Sequence, residues 1–387
     1  MGIAIEPYTR QHVAAVKDFN RRLKAGGLKE FEFPESEIPD WLPPADGRRI
    51  HQELFVAVAE GAVRGGYILK RQDFSFRGEV CPVGHYHLPL SEGLVDRTYM
   101  AVGMKLLTDA LRRSAALYAL GMGGFDRPLP RMLHAMGWKM LAVPFHFKVT
   151  HPFRFLRNIQ PLRRSALQRA AMDAAAFSGL GWAGLKVLHG WAGRQAEGLP
   201  HRLRGGAGGF ACDGQGERVE IVPGFDTWAD EIWERCHPMY AMAGARDGAA
   251  LRILYPTDDP RFTRVAVTSG RRTVGWAVVL NTAMRNNKYF GDLRVGTIAD
   301  CFAAPEDAGA VIHAASSVLA AGGVDLMISN QSHEAWCAAL RAAGFRAGPS
   351  NFIFAASRKL SAMLEPWDAS ARRIHINRGD GDGPIHL

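Results

Sequence analysis

The sequence predicts a mixed α/β (α+β) protein of two domains on one plan, each a mixed, mostly antiparallel central sheet flanked by helices. Three observations carry this. A chain of 387 residues is longer than a single core ordinarily organises, so two domains are the default. Hydrophobic residues at 47% and charged residues at 22% describe a globular chain rather than a disordered one. The same order of patterns also occurs twice.

The first copy opens with "IAIEPYTRQHVAAVKDFNRRL", strand then helix, and the second with "VEIVPGFDTWADEIWERC". A hairpin follows in each: "LFVAVAEGAVRGGYIL" (54–69) and "TRVAVTSGRRTVGWAVV" (263–279). Val56-Ala57-Val58 aligns with Val265-Ala266-Val267, and Gly61 and Gly66 with Gly270 and Gly275, at one constant spacing. Alternating β-branched residues broken by a polar glycine turn read as strand, turn, strand. The central strands come next, "VGHYHLPLS" (83–91) and "RVGTIADCFA" (294–303). Then "AVGMKLLTDALRRSAALYALGM" (101–122) and "AGAVIHAASSVLAAGGVDLMISN" (308–330) each read as an amphipathic helix and a strand. Last, "RPLPRMLHAMGW" (127–138) and "HEAWCAALRAAGF" (333–345) are short helices that exit through Gly137 or Gly344 into an aromatic and a strand.

This order, with its glycine-aromatic exit, resembles the GNAT acyltransferase family in tandem, over roughly residues 1–150 and 217–360. The expected division is an N-terminal GNAT-like domain (1–150), a basic and apolar helical connector (151–216) and a C-terminal GNAT-like domain (217–387) ending in an acidic glycine loop. The resemblance implies acyl transfer from a thioester, acyl-CoA or an acyl carrier protein, to an amine or hydroxyl. Tandem GNAT-like proteins associated with exopolysaccharide genes are similar in their glycine-poor turns, which implies a cell-envelope or polysaccharide precursor as acceptor. FemAB-like transferases, paired GNAT domains that use aminoacyl-tRNA, are the alternative; a non-catalytic GNAT-fold binding protein is another.

The resemblance fails at the phosphate turn, R/Q-x-x-G-x-G/A, whose backbone N–H groups cradle the CoA pyrophosphate. "SEGLVDRTYMAVGMKLL" (91–107) has Gly93 and Gly103 but no close glycine pair, and "CFAAPEDAGAVIHAA" puts Glu306 and Asp307 at a helix start, where they repel a pyrophosphate. Donor binding is therefore expected in the first copy, at His85, Leu88, Arg97 and Tyr99.

Acyl transfer needs a base, an oxyanion donor and an acid for the leaving thiol. His85 and His87 share one strand face, where a histidine pair could supply a base near neutral pH; they read either as base and partner or as solvated edge histidines. Asp300 is a lone acid on an apolar strand, costly unless paired or functional. Asn330, Gln331, Ser332, His333 and Glu334 crowd a strand-to-helix turn and read as an acceptor site or as a helix cap, Asn330 or Ser332 capping. Catalysis is thus expected at Asp300, Asn330, His333 and His87, with Ser332, Glu334, Asp380 and Asp382 at the acceptor. The tail "INRGDGDGPIHL" (376–387) is expected to dock near Asn330 to Glu334, anchored by Ile385 and Leu387.

The net charge of +9 favours an anionic partner. In the connector, Arg154, Arg157, Arg163, Arg164 and Arg169 precede an apolar stretch with Trp182 and Trp191, too interrupted by charge to span a bilayer. It reads as a packed linker or as a surface for an anionic leaflet, followed by a flexible joint at 205–216. Five cysteines with no CxxC predict reduced thiols and no metal site. With no signal-like start, a cytoplasmic protein is expected, free or peripheral to the inner membrane.

Overall fold

Both hairpins turn on glycine for a conformational reason. Glu60 and Gly61, and Gly270, have φ of 53°, 71° and 62°, the left-handed region that tight hairpin turns demand and glycine enters without penalty. In a computed structural model residues 2–160, 163, 165–177, 210–212 and 217–382 are described, and they fall into two compact units.

Unit 1 comprises Met1–Ala142, Ala241–Ala245 and Asn351–Ala371. It holds β1 (Ala4–Pro7), α1 (Val13–Ala25), β2 (His51–Ala59), β3 (Ala62–Phe76), β4 (Glu79–Ser91), α2 (Met100–Arg113), β5 (Leu117–Met122), α3 (Pro128–Ala135) and β6 (Lys139–Ala142). Unit 2 comprises Val143–Tyr240, Arg246–Ser350 and Arg372–Leu387. It begins with β7 (Phe145–Val149), α4 (Pro152–Asn158), α5 (Ala166–Phe177), β8 (Phe210–Cys212), β9 (Glu217–Val222) and α6 (Thr227–Cys236). After β10 (Met242–Gly244), a short strand of unit 1, it continues with α7 (Gly248–Leu254), β11 (Thr263–Ser269), β12 (Arg272–Ala283), β13 (Arg294–Ala303), α8 (Ala308–Ala321), β14 (Leu326–Asn330), α9 (Glu334–Ala342) and β15 (Arg346–Gly348). Unit 1 takes back β16 (Phe352–Ala356), α10 (Arg358–Ala362) and α11 (Trp367–Ala371), and β17 (Ile374–His375) returns to unit 2.

The sheet of unit 1 runs β1-β2-β3-β4-β5-β16-β6 and that of unit 2 runs β15-β7-β14-β13-β12-β11-β9-β8. The last strand of the first repeat, β7, thus lies in the second sheet between β14 and β15. The last strand of the second repeat, β16, lies in the first sheet between β5 and β6. Most pairings are antiparallel; the parallel ones are β4 with β5 and β13 with β14. Close helix packing follows from glycine: a Cβ on Gly65 would meet Val102 of α2, and one on Gly275 would meet Val311 of α8. Gly137 and Gly344, at φ 81° and 86°, end their helices as left-handed caps.

At the centre of each sheet the parallel pair parts. In unit 1, β4 and β5 pair only at Gly84↔Leu117 and His85↔Tyr118. In unit 2, β13 and β14 pair from Val295↔Leu326 to Ile298↔Ser329. Beside each parting the antiparallel neighbour is out of register, between Gly66 and Ile68 and between Val278 and Val279. A bulge bends a strand and frees part of its ladder, so each unit contains a cleft that opens between central strands.

Because β16 sits inside the first sheet, a chain ended at Ser350 is expected to leave the facing edges of β5 and β6 unpaired. Limited proteolysis should then cut within residues 1–142 much faster than in the full chain; equal resistance would show that β16 is dispensable there.

Candidate functional site

In unit 2 the cleft is built around Asp300. Asp300 pairs with Val278 and Ile298 with Val279, so Ala299 is the extra residue of the bulge and Asp300 is carried to the mouth of the parting strands. It is fully buried. Its Oδ2 accepts from Tyr255 Oη at 2.6 Å and Arg246 Nε at 2.7 Å. Its Oδ1 accepts from Asn377 Nδ2 at 2.8 Å and its own neighbour's amide, Cys301 N, at 2.9 Å. Four donors fill the four lone-pair sites of a carboxylate. Burial pushes the Asp300 pKa up, with Arg246 opposing. Arg246 also donates to Asp380 Oδ1 at 2.6 Å; burial disfavours its charge, but the two carboxylates outweigh that and raise its pKa.

The C-terminal segment fills this cleft. Asn377 bridges to Gln331 at the end of β14, Ser332 N donates to Ile376 O, and Ile376 N donates to Ser332 Oγ at 2.8 Å. Arg378 NH1 donates to Asn330 Oδ1 at 2.9 Å. Asn377 is a capping-box residue whose amide donates to Asp380 while its side chain accepts from Gly379 N. At Gly379 a Cβ would collide with Asp300 Oδ2 and Tyr255 Oη, so the glycine of "RGD" exists for close approach. Asp382 is half-buried. Ile385 and Leu387, expected to anchor the tail, lie outside the described residues, as do Arg164, Trp182, Trp191 and, within the expected flexible joint, residues 205–209 and 213–216; Phe210–Cys212 of that joint form β8, paired with β9.

The expectation that Asn330 or Ser332 caps α9 is corrected. His333 is the N-cap, its Nδ1 accepting from Ala335 N at 3.1 Å. Asn330 is taken by Arg378, and the Ser332 hydroxyl donates to Ile374 O, so neither is left for the helix. Glu334 is exposed in the first turn. Behind the cap, Tyr240 accepts from Trp336 Nε1 at 3.0 Å and donates to Ala303 O at 2.7 Å. His375 lies among Tyr240, Phe302 and Trp336. Burial lowers the His333 pKa to about 4 and holds the His375 pKa well below the ordinary histidine value.

The unit 1 cleft differs. Beyond the parting, His87, Leu88 and Pro89 remain half-exposed, whereas Ala299–Ala303 of β13 are all buried. Leu88 has φ 45°, unusual for a non-glycine residue and a sign of a constrained strand. His85 is buried, stacked flat on Tyr118 with centroids 4.6 Å apart, and its ring is 5.3 Å from that of His87. Tyr99 is buried beneath the Arg64 guanidinium at 4.2 Å, and Arg97 is exposed.

Neither unit offers a pyrophosphate cradle. Before α2, buried Glu92 accepts from Arg22 Nε at 2.8 Å and from Arg64 NH1 at 3.1 Å: an internal carboxylate already occupies the two arginines a phosphate would use. A Cβ on Gly93 would strike the main chain of Tyr99 and Met100, so the turn is closed on itself. Before α8, burial and then Glu306 raise the Asp307 pKa, a mark of crowded acids. Among the described residues no His/Cys/Asp/Glu cluster suits a metal, and no helix is long and apolar enough to cross a membrane. In the connector, Arg163 and Asp173 form a two-bond ion pair, at 2.7 and 3.1 Å.

Arg246, Tyr255 and His375 carry no signal in the sequence, whereas Arg378 belongs to the tail expected to dock. Asn377 and Gly379 lay inside the glycine-rich tail that drew notice; Arg246 looked like any surface arginine.

No protein-family model matches the sequence, and no curated protein does. Its structural neighbours are GNAT-fold acyltransferases. A GCN5-related N-acetyltransferase from Anabaena variabilis aligns with TM-score 0.49 at 9% identity, over 92% of this chain and 72% of that one. A tandem GNAT protein from the clavulanic acid biosynthesis pathway aligns with TM-score 0.45 at 13% identity, over 92% and 98%. Saccharomyces cerevisiae N-myristoyltransferase with bound myristoyl-CoA aligns with TM-score 0.47 at 8% identity, over 92% and 78%.

Two outcomes are expected of unit 2. Gly379→Ala should destabilise by about 2–3 kcal/mol, an overpacking cost; an unchanged urea midpoint would mean that residue 379 does not lie against Asp300. His333 in the unfolded chain protonates near pH 6.5, but in the fold only near 4. The unfolded state therefore binds more protons in that window, and stability is full above pH 6.5 and falls by about 3 kcal/mol on the way to 4. His333→Asn, which keeps a cap acceptor, should flatten that slope; an identical slope would remove His333 as its source.

Proposed function

We propose that the protein is an acyltransferase that moves an acyl group from a thioester to an amine or hydroxyl, with the reaction in unit 1. The observation that carries this is the contrast between two equivalent clefts. In unit 2 the parted strands are held shut by residues 376–380, and every lone pair of Asp300 is engaged. In unit 1 the corresponding stretch, His87–Pro89, is half-exposed beside a bulge. Asp300, Asn330, Ser332 and Asp380 then act as anchors of the C-terminal segment and His333 as the cap of α9, not as groups at the reacting atoms.

In this reading the acceptor nitrogen or oxygen attacks the thioester carbonyl carbon and His87 takes the proton it loses. Main-chain N–H groups of β4 beyond the bulge face the oxyanion of the tetrahedral intermediate. The C–S bond breaks, and the sulfur leaves as thiol with a proton returned from the imidazolium. His85, fixed against Tyr118, positions the His87 ring. The acceptor class that goes with this reading is an amine or hydroxyl of a cell-envelope or polysaccharide precursor.

The test uses a small thioester that needs no pyrophosphate cradle, S-octanoyl-N-acetylcysteamine, with glucosamine as acceptor and thiol release as readout. His87→Ala is expected to lower kcat about a hundredfold with little change in KM; full turnover by the variant would remove His87 as base. Strong, salt-sensitive binding of charged tRNA with no thioester turnover would put the FemAB-like chemistry in its place.

A further inference from the structure

The outer face of α2 combines features that a merely solvated helix face does not need. Leu94, Met100 and Met104 are 47%, 67% and 43% exposed, three of the large apolar side chains that the described residues leave in water. Met100 and Met104 are one helical turn apart and so share a face. Arg97, Lys105 and Arg112 are exposed around them. The only acid within α2, Asp109, is buried and accepts from Tyr67 Oη at 2.7 Å and Arg113 Nε at 2.7 Å, with the exposed Arg112 guanidinium at 3.5 Å. The exposed face of α2 is therefore apolar at the centre and positive at the rim, with no carboxylate of its own. Asp96, exposed between Leu94 and Arg97, brings one carboxylate to the edge of this face; it caps the turn before α2 and accepts from Thr98 N at 2.9 Å.

This helix follows directly on β4, the strand proposed to hold the thioester, and the place where a GNAT phosphate turn would lie is closed by Gly93 and neutralised by Glu92. The chain thus lacks the grip for a free CoA nucleotide and carries next to that place a surface suited to a protein. Exposed apolar residues ringed by one sign of charge mark an interaction site, and complementary charge sets both orientation and encounter rate.

We propose that the donor is presented by a small acidic carrier protein, which docks on the Leu94/Met100/Met104 face of α2 and offers its acyl group as a pantetheine thioester. Acidic side chains of the carrier meet Arg97, Lys105 and Arg112, and an apolar carrier residue covers the two methionines. The chemistry is unchanged: the acceptor atom bonds to the acyl carbon, the C–S bond breaks, and the carrier keeps the free pantetheine thiol. The inference deepens the acyltransferase reading and rests on it for the location of the thioester.

The experiment titrates the full chain with fluorescently labelled octanoyl acyl carrier protein, and in parallel with octanoyl-CoA and with vesicles of mixed anionic and neutral phospholipid. Carrier binding is expected, weakening about tenfold between 50 and 300 mM salt. Met104→Glu and the pair Arg97→Glu/Lys105→Glu should each weaken it about tenfold or more, with thermal midpoints within a degree of the parent because all three side chains are exposed. Variants that bind the carrier as tightly as the parent overturn the proposal. So does a chain that ignores the carrier and binds octanoyl-CoA, and so does a loss confined to anionic vesicles, which would assign the face to a lipid surface. The parent reading fails separately: if His87→Ala leaves octanoyl-N-acetylcysteamine turnover intact while the α2 variants lose the carrier, the docking face stands and the base assignment falls.

Discussion

The second unit is organised by one guanidinium. Arg246 lies between Asp300 Oδ2 at 2.7 Å and Asp380 Oδ1 at 2.6 Å, and all three side chains are buried. Taking three charges out of water is expensive, and a buried ion pair seldom contributes much net stability. Its contribution is to specificity. Arg246 precedes α7, Asp300 lies on the central strand and Asp380 comes from the chain's last turns, so only one arrangement of these distant segments leaves no charge alone. Removing one member would cost about 3–5 kcal/mol, because its partner would remain buried and unpaired. The register of the C-terminal segment follows from that constraint: Asn377 reaches the free Asp300 oxygen, and Gly379 passes where no side chain fits.

From this knot the asymmetry of the two repeats follows. The same bulge and the same parting of a parallel pair occur in both sheets. A cleft between parting strands can be filled by ligand or by chain, and its walls must differ accordingly. Unit 2 lines its cleft with an aspartate and an asparagine whose side chains bond Asn377 and Arg378, and with Gln331, whose main chain bridges to Asn377. Unit 1 lines its cleft with histidines and a proline that lacks an N–H, groups that do not complete a ladder. Duplication supplied one geometry twice, and polar satisfaction sealed one copy.

The fold class was legible because it is written in local signals. Glycine turns, alternating strands and helix exits at Gly137 and Gly344 repeat at nearly fixed spacing, and each has a short-range cause. The pairing of β7 with β14 and of β16 with β5 was not legible, because strand partnership is non-local and both strands are only five residues long. At the site, Asp300 drew notice for a sound reason, as a lone acid on an apolar strand must be satisfied. What satisfies it did not: Arg246 and Tyr255 look like any surface arginine and core tyrosine until tertiary contact defines them. The capping assignment failed for a related reason. Asn330 and Ser332 are good caps by propensity, but the returning chain took both, and His333 was left to do it.

The neutral histidines beside the knot complete its logic. His375 is buried among aromatic rings, with Arg246 and His333 adding to what holds its pKa down. At neutral pH it is uncharged, and the local charges are those of the arginines and aspartates alone. Acid acts on both sides of this balance. A proton on Asp300 takes one partner from Arg246, and a proton on His375 adds a second positive charge near the same guanidinium. Both changes push the same way, toward excess positive charge in a buried site. The C-terminal segment is bonded to the sheet through those carboxylates, so it should be the part of unit 2 whose attachment is most sensitive to pH.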